Sequence, residues 1–327
     1  MLRFFYILIF FFTQVIYAQD PVFTQSFFIP ESINTGFTGA LESTKAGLIY
    51  RSQKNGLNFD IETQFAFVDK WYDDFNLGLG ISILNQKESA SGYNFTQLNL
   101  NYAYAVQLNE KWFFRPSISV GLGTKSFGFQ NALFEDQIDI STGGINGSSI
   151  DPTLFNETLS FFDFSSSLLF NTERTWVGIT FRHLNKPNIS LTDQGNVSLD
   201  IFMSIHASWE IPINPYRNIY SIENSIYILG NYMNQGPYSR FDIGSQYVYD
   251  KFSLGVIAAT NPQKIDPNSS VLSSINVFFG LKWNGFKFSY AYDFNVNKIN
   301  YTGSAYEVLI IYDFENNNKR LQCPKFF

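Results

Sequence analysis

The sequence predicts an all-β fold: a transmembrane, antiparallel outer-membrane β-barrel of about 14 strands. Apolar and polar residues alternate over many segments of roughly ten residues, which is the length that a tilted strand needs to cross a bilayer. Aromatic residues make up 18% of the chain and charged residues only 15%, but no apolar run is long enough for a spanning helix. Short and long connections alternate along the chain, as they do in outer-membrane barrels.

Residues 1–18 are predicted to form a secretory signal peptide. Arg3 supplies a positive charge, an apolar run over residues 4–12 follows, and the small Ala18 ends the segment. This is the order of regions in a cleaved export signal, and the apolar run falls well short of the ~20 residues of a membrane anchor. We therefore expect cleavage after Ala18 and localisation in the outer membrane.

The next segment, residues 19–44, shows neither a helical nor a strand period. It begins QDPVFTQSFFIPESINTGFTGA and contains four phenylalanines: Phe23, Phe27, Phe28 and Phe37. Each buried aromatic side chain contributes roughly 1.5–3 kcal/mol, so exposing all four would be costly. We expect this segment to be an N-terminal plug, either at the periplasmic mouth of the barrel or inside its lumen.

Residues 45–314 are predicted to form the barrel, and residues 315–327 a C-terminal tail. In the strand over 198–210, for example, Ile205 and Trp209 share one face, and His206 and Ser208 share the other. Fourteen strands are an even number, as a closed antiparallel barrel requires. The predicted strands are 45–53, 57–68, 74–85, 94–108, 112–124, 159–170, 174–182, 198–210, 219–230, 240–249, 252–260, 272–282, 286–294 and 304–314.

The connections predict which end of the barrel is periplasmic. Those after the even-numbered strands are short or compact: VDKWYDD, NEK, NTER, INPYRN, YDK and NG. Those after the odd-numbered strands are mostly longer and polar, the longest covering residues 126–158, and only KNG at 54–56 is short. Short turns are periplasmic in barrels of this type, so the long loops are expected on the cell surface.

The alternation also assigns the strand faces. We expect an outward girdle of interfacial tryptophans near the periplasmic ends of the strands: Trp71, Trp112, Trp176, Trp209 and Trp283. Polar residues are expected to face the lumen, where they would suit a water-filled channel: Asn58, Asp60, Glu62, Gln64, Arg115 and Asp242.

Residues for catalysis are scarce. The chain has two histidines, and we interpret His206 as part of a polar lumen face and His183 as a residue of a loop or turn. Cys323 is the only cysteine, which excludes an intramolecular disulfide and a multi-cysteine metal site. We therefore expect no enzymatic activity, no catalytic residues, and no cofactor or metal.

The charged residues bear on two other classes of ligand. A net charge of −6 with a pI near 5.0 argues against nucleic-acid binding, which needs a basic face. Glu135, Asp136 and Asp139 lie in the longest loop, and carboxylate oxygens are calcium ligands. The loop lacks the spaced glycine and final glutamate of a calcium-binding loop, so a solvated acidic loop is favoured and calcium binding stays open.

Four stretches together resemble the PorP/SprF family of Bacteroidetes outer-membrane proteins, associated with the type IX secretion system and gliding motility. GITFRHLNKPNI at 178–189, YAYDFNVNKINYTGSAYEVLIIYDF at 290–314 and the final QCPKFF are each similar to a family motif. Thr35 and Tyr306 depart from it, standing where the family usually has proline and histidine. The opening QDPVFTQSFFIPESINTGFTGA matches the family's start at Asp20, Pro21, Phe23, Gln25, Asn34 and Gly39.

The resemblance implies a protein-handling role: export, or anchoring at the cell surface, of a large secreted adhesin or other type IX cargo protein. It also implies contact with periplasmic components of the secretion machine, and the barrel itself would sit in outer-membrane lipid. The cargo is expected to meet the loops over 126–158 and 183–196, although the longer loop could equally be a lid over its own barrel. The apolar side chains expected to bind it are Phe127, Phe129, Leu133, Phe134, Leu154 and Phe155. The alternative function is a passive porin for small solutes.

Overall fold

The computed structural model describes residues 20–54, 60–128, 135–139, 142–147, 158–191, 195–213, 223–262, 271–296 and 303–314. Within these ranges the chain forms fourteen strands, because Asn94–Tyr104 and Val106–Gln107 are successive parts of one strand interrupted at Ala105. The predicted signal peptide and C-terminal tail lie outside the described residues. No helix in the described ranges is long and apolar enough to cross a membrane.

The strands follow one another around the barrel in chain order. They are β1 (Lys45–Gln53), β2 (Ile61–Tyr72), β3 (Leu77–Glu88), β4 (Asn94–Tyr104 with Val106–Gln107), β5 (Phe113–Ser126), β6 (Thr158–Asn171), β7 (Thr175–Arg182), β8 (Phe202–Pro212), β9 (Asn224–Gln235), β10 (Tyr238–Tyr249), β11 (Phe252–Thr260), β12 (Leu272–Trp283), β13 (Phe286–Asn295) and β14 (Ala305–Asp313).

The sheet closes on itself. Every strand pairs antiparallel with the next, and β14 pairs with β1 from Lys45 opposite Asp313 to Gln53 opposite Ala305. Closure removes the free edges that an open sheet would expose. The predicted closed antiparallel barrel of 14 strands is therefore confirmed. We call the end at which β1 begins the turn end, and the opposite end the loop end.

Several strand bounds differ from the prediction. β1 and β11 begin and end as predicted, but β2 continues to Tyr72, so VDKWYDD is mostly strand. The turn after β2 is only Asp73 to Asn76, and Asn76 adopts the left-handed conformation with φ 51°. β9 and β10 are joined by the two-residue turn Gly236–Pro237, which makes a second short connection at the loop end. Gly236 has φ +56° there, a conformation that glycine adopts without strain.

The predicted faces of β2 were wrong. Phe65 and Phe67 point into the lumen and are buried, whereas Glu62 and Gln64 are exposed on the outer surface. Glu62 and Gln64 lie near the loop end of β2, where a barrel strand leaves the apolar band of the membrane. Of the other predicted lumen residues, Arg115 and Asp242 are buried inside and Asp60 precedes β2, while Asn58 lies outside the described residues.

The predicted tryptophan girdle is also only partly correct. Trp112, Trp209 and Trp283 are exposed near the turn end, as an interfacial girdle requires. Trp71 and Trp176 instead point inward, where Trp71 stacks under the Arg115 guanidinium at 5.1 Å. Aromatic residues on an inward face need something apolar to pack against, and the barrel provides it with its own N-terminal residues.

Candidate functional site

Residues 20–44 lie inside the barrel, against inward-facing side chains of most strands. Turns and two short 3₁₀ helices, Pro30–Ser32 and Thr35–Phe37, shape this N-terminal segment. Pro30 fits the first turn of a helix, which needs no N–H at that position. Asn34 caps the second helix by accepting a hydrogen bond from Gly36 N at 2.7 Å. The local sequence therefore folds the segment into a compact body rather than a strand.

One side of the segment is apolar and fully covered. Phe28 meets the Phe278 ring of β12 edge to face, with centroids 5.0 Å apart. Phe37 meets Trp176 of β7 in the same way at 5.1 Å. These rings belong to one buried cluster that also contains Phe23, Phe27, Leu169 of β6 and inward residues of β9 to β14, β1 and β2. We call the inward surface of β9–β14, β1 and β2 the packed wall.

At the loop end a charged cluster, the loop-end anchor, holds the start of the segment. Asp20 Oδ1 lies 2.8 Å from His183 Nε2, and Asp20 Oδ2 accepts a hydrogen bond from Arg182 at 3.3 Å. Gln235, the last residue of β9, accepts from Asp20 N at 2.7 Å and donates to its carboxylate. His183 Nδ1 lies 3.0 Å from Asp163 Oδ1 of β6. The anchor thus ties the segment to three strands.

His183 holds this anchor together as a cation. It follows β7 with φ +58°, a left-handed turn that swings its ring into the lumen. Burial disfavours the charged ring, but the charge of Asp20 and hydrogen bonds to Asp163 and Asp20 outweigh burial and raise the pKa of His183 to about 9. Burial likewise raises the pKa of Asp20, but His183 and Arg182 lower it well below its usual range. Both groups are therefore charged at neutral pH.

Glu307 on β14 forms a second anchor. Its carboxylate accepts hydrogen bonds from the backbone N–H of Thr24 at 2.8 Å and of Gln25 at 2.9 Å. Arg51 of β1 forms an ion pair with this carboxylate, with Nη1 2.6 Å from Glu307 Oε1, and a second ion pair with Asp293 of β13. Two peptide N–H groups of an irregular segment are satisfied by one buried carboxylate, an arrangement with strong charge-assisted bonds.

Near the turn end the segment contacts both sides of the lumen through polar side chains and backbone atoms. Glu31 pairs with Lys45, and Asn34 Nδ2 donates to the Leu168 carbonyl at 3.1 Å and lies 3.0 Å from His206 Nε2. A Cβ added to Gly78 of β3 would lie 2.1 Å from the Thr38 carbonyl oxygen. Only glycine at Gly78 permits this approach, so the segment lies in direct contact with β3 near the turn end.

The opposite inward surface, formed by β3–β6, has a different chemistry, and we call it the polar wall. A cavity of about 50 Å³ separates it from the segment. Arg182 and His183 also border this cavity. On the polar wall two apolar residues, Leu84 and Phe95, line it, and the rest of the lining consists of amides and hydroxyls: Ser82, Gln97, Asn99, Asn101, Ser119 and Ser165.

The connection after β7 folds back into the mouth at the loop end. Ile189 and Leu199 are buried there against the inward rings of Phe95 and Phe161. Backbone hydrogen bonds from Ile189 N to Val197 O and from Leu199 N to Pro187 O hold this connection as a short flap. The predicted cargo loop over 183–196 therefore turns part of its apolar surface inward.

Of the other predicted cargo residues, the structure describes only Phe127. Phe127 is half-buried, with its ring 5.2 Å from Tyr93 and under the Lys125 ammonium. Phe129, Leu133, Phe134, Leu154 and Phe155 lie outside the described residues. Glu135, Asp136 and Asp139 are described, and no group of three or more metal-binding side chains gathers anywhere in the described ranges.

Comparison with known proteins identifies the chain. A model of the family described as "Type IX secretion system membrane protein PorP/SprF" matches residues 15–312. The chain belongs to the PorP/SprF family. It is accordingly a type IX secretion barrel of the outer membrane, and its family and fold are those of a secretion and transport protein rather than an enzyme. No curated protein matches the chain.

Solved barrels share the fold at low identity. The monoaromatic hydrocarbon channel CymD is 13% identical over 91% of this chain and 94% of its own, with a TM-score of 0.50. The toluene transporter TodX of Pseudomonas putida is 10% identical over 90% and 94%, with a TM-score of 0.48. A Pseudomonas aeruginosa FadL homologue is 10% identical over 86% and 93%, with a TM-score of 0.41. The likeness to CymD supports an outer-membrane barrel fold and nothing finer.

The residues that match PorP/SprF motifs meet in the structure. Asp20 of the opening motif contacts His183 of the second motif, and Gln25 contacts Glu307 of the third. Sequence reasoning interpreted His183 as a loop or turn residue and did not single out Asp163. The available signal was the position of the motifs themselves, since the opening motif contacts each of the other two.

Proposed function

We propose that this PorP/SprF barrel helps to export, or anchors at the cell surface, a large adhesin or other cargo protein of the type IX system, without catalysis of its own. The observation that carries the proposal is the occupied lumen. A barrel filled by its own N-terminal segment offers no open path for solutes, so its outer surface is the part available to partners. Family membership supports work alongside other secretion components, with periplasmic ones meeting the turn end.

We also propose that residues 19–44 are a plug. The burial of Phe23, Phe27, Phe28 and Phe37 supports this role, since each ring packs where solvent would otherwise fill the lumen. The two carboxylate anchors, Asp20 and Glu307, add directional contacts that a chance collapse of the segment would lack.

The cargo is proposed to bind the long loop after β5. Phe127 lies at its base, and Ile138 and Ile145 are exposed further along it. Exposed apolar side chains on a loop are suited to the centre of a protein interface. The flap after β7, with Ile189 and Leu199 turned inward, is better suited to cover the mouth of the barrel.

A loop-shortening experiment tests this proposal. Replacing residues 127–155 by a tight turn should strongly reduce cargo at the cell surface, with barrel abundance and heat-modifiable migration unchanged. Ile145→Ser is a milder variant of the same surface, and Leu184→Ser, on the neighbouring connection, is its matched control. Unchanged cargo display in the shortened variant would overturn the proposal.

A passive porin remains the second candidate function. The polar wall and its cavity favour it, because a hydrophilic inner surface is what a solute channel needs. If loss of the protein changes only the uptake of small solutes and leaves surface cargo unchanged, the porin function is the correct one.

A further inference from the structure

We propose that the barrel has a latent second activity: a gated path for small, uncharged, hydrophilic solutes, which runs along the polar wall and opens when the loop-end anchor releases Asp20. In the structure the path is closed. The proposal goes beyond cargo handling and does not depend on it.

The first argument is that the packed wall makes many more close contacts with the segment than the polar wall does. The packed wall binds it through buried rings, such as Phe28 on Phe278, and through the Glu307 carboxylate. The polar wall meets it closely only near the turn end, where Gly36 approaches the Arg115 carbonyl and Thr38 approaches Gly78. Above that level the cavity lies between the segment and the wall. Among the β3–β6 residues that line it only Leu84 and Phe95 are apolar, so the segment can move away from β3–β6 with little loss of apolar contact there.

The second argument is the chemistry of the polar wall. Its amides and hydroxyls bond to one another: Asn101 donates to Ser82 at 3.0 Å, Ser119 donates to Asn101 at 2.8 Å, and Gln97 donates to Asn99 at 2.9 Å. Gln97 also donates to the buried Asp163 carboxylate at 2.9 Å. The other groups can exchange bonds with water or a sugar hydroxyl without leaving a buried charge unpaired. The polar wall therefore suits uncharged polar solutes better than ions.

The third argument is space. In its middle β5 turns small residues toward the lumen, namely Ser117, Ser119, Gly121 and Gly123, while the larger inward Phe113 and Arg115 lie near the turn end. The cavity of about 50 Å³ can hold about three to five waters at ~10–15 Å³ each, which leaves no room for a solute to pass. Opening therefore requires that the segment move.

The fourth argument is the position of the gate. Asp20, Pro21 and Phe23 line the cavity, and they form the part of the segment that the loop-end anchor holds. Without the Asp20 carboxylate this end loses its bonds to Arg182 and His183 and one of its two bonds to Gln235, while Glu307 still holds Thr24 and Gln25. The cavity then widens at its loop end, next to the flap.

The test is a liposome-swelling assay with purified barrels and uncharged sugars, all in a Cys323→Ser background. Asp20→Ala should raise the swelling rate in a pentose several-fold over the parent protein, with less effect for a trisaccharide. Deleting residues 20–38 should raise it further. Heat-modifiable migration establishes that each variant still forms the barrel.

Thiol labelling then locates the path. In the Asp20→Ala background, Ser119→Cys on the polar wall should lose at least half of its swelling rate after a charged methanethiosulfonate reagent. Ser289→Cys, a buried inward serine on the packed wall, is the matched control and should lose little. The proposal is overturned if neither Asp20→Ala nor the deletion speeds swelling. Equal or greater loss at Ser289→Cys would also overturn it, because the path would not follow the polar wall.

Discussion

The two walls of the lumen show the same alternation of inward and outward residues, but the packed wall contacts the N-terminal segment and the polar wall borders a cavity. On the packed wall large apolar inward residues, such as Ile257, Phe278 and Leu309, each about 1% exposed, lie among polar ones such as Glu307. On the polar wall the inward residues beside the cavity are mostly amides and hydroxyls, such as Asn101 and Ser119, which bond to one another. The buried rings of the packed wall thus mark where the N-terminal segment fills the lumen, and the amides beside the cavity mark where water can enter it.

The difference also separates two kinds of contact. Apolar packing is insensitive to pH and is lost only when a ring is removed, whereas the charged anchors depend on protonation. Three changes, ordered by expected effect, separate these contributions.

The largest effect is expected from Phe28→Ala. Its ring is buried against Phe278 on the packed wall, and truncating a buried phenylalanine costs about 3–5 kcal/mol. We expect the N-terminal segment to become cleavable by protease in folded barrels, and the urea midpoint in detergent to fall. Phe279→Ala, on the same strand but facing the membrane, is the control and should leave the segment protected. Equal protection in both variants would show that the packed wall does not hold the segment.

The second effect concerns pH at the loop-end anchor. The folded pKa of His183 is about 9, above its ordinary value of 6.5, so its stabilisation is complete below about pH 6.5 and is lost as pH rises through 9. At ~1.4 kcal/mol per pKa unit this amounts to an order of magnitude of 3 kcal/mol. The groups facing His183 are Asp20 from the segment, Asp163 from β6 and Arg182 from β7. The lowered pKa of Asp20 acts in the opposite direction, since its contribution is lost only as pH falls below its ordinary value of 3.8.

Protease protection of the segment should therefore fall between pH 7 and 10 in the native protein. His183→Gln should be less protected at pH 6.5 and nearly independent of pH over that range. If the native protein shows no change up to pH 10, the anchor does not depend on a charged histidine.

The sequence predicted the barrel and most strands because strand periodicity and turn chemistry are local. β1 and β11 match to the residue, and the inward side of β8, with His206 and Ser208, is correct. The faces of β2 could not be predicted from alternation alone. Phe65 and Phe67 face inward only because Phe23 and its neighbours occupy the lumen, which is a contact between distant parts of the chain. For the same reason the sequence did not predict Asp163 or the role of His183, because both act through the contact between His183 and Asp20, which are distant in the chain.

The smallest effect is expected from Ser119→Ala on the polar wall. Its hydroxyl donates to Asn101 at 2.8 Å, but the Asn101 oxygen borders the cavity and can accept from water instead. Replacing an exchangeable neutral hydrogen bond costs about 0.5–1.5 kcal/mol, and water in the cavity should hold the loss to the lower end. The urea midpoint should barely move, and the segment should stay protected from protease. A loss comparable to that of Phe28→Ala would mean that the polar wall is packed as tightly as the other wall, and a hydrated path along β3–β6 would then have no room.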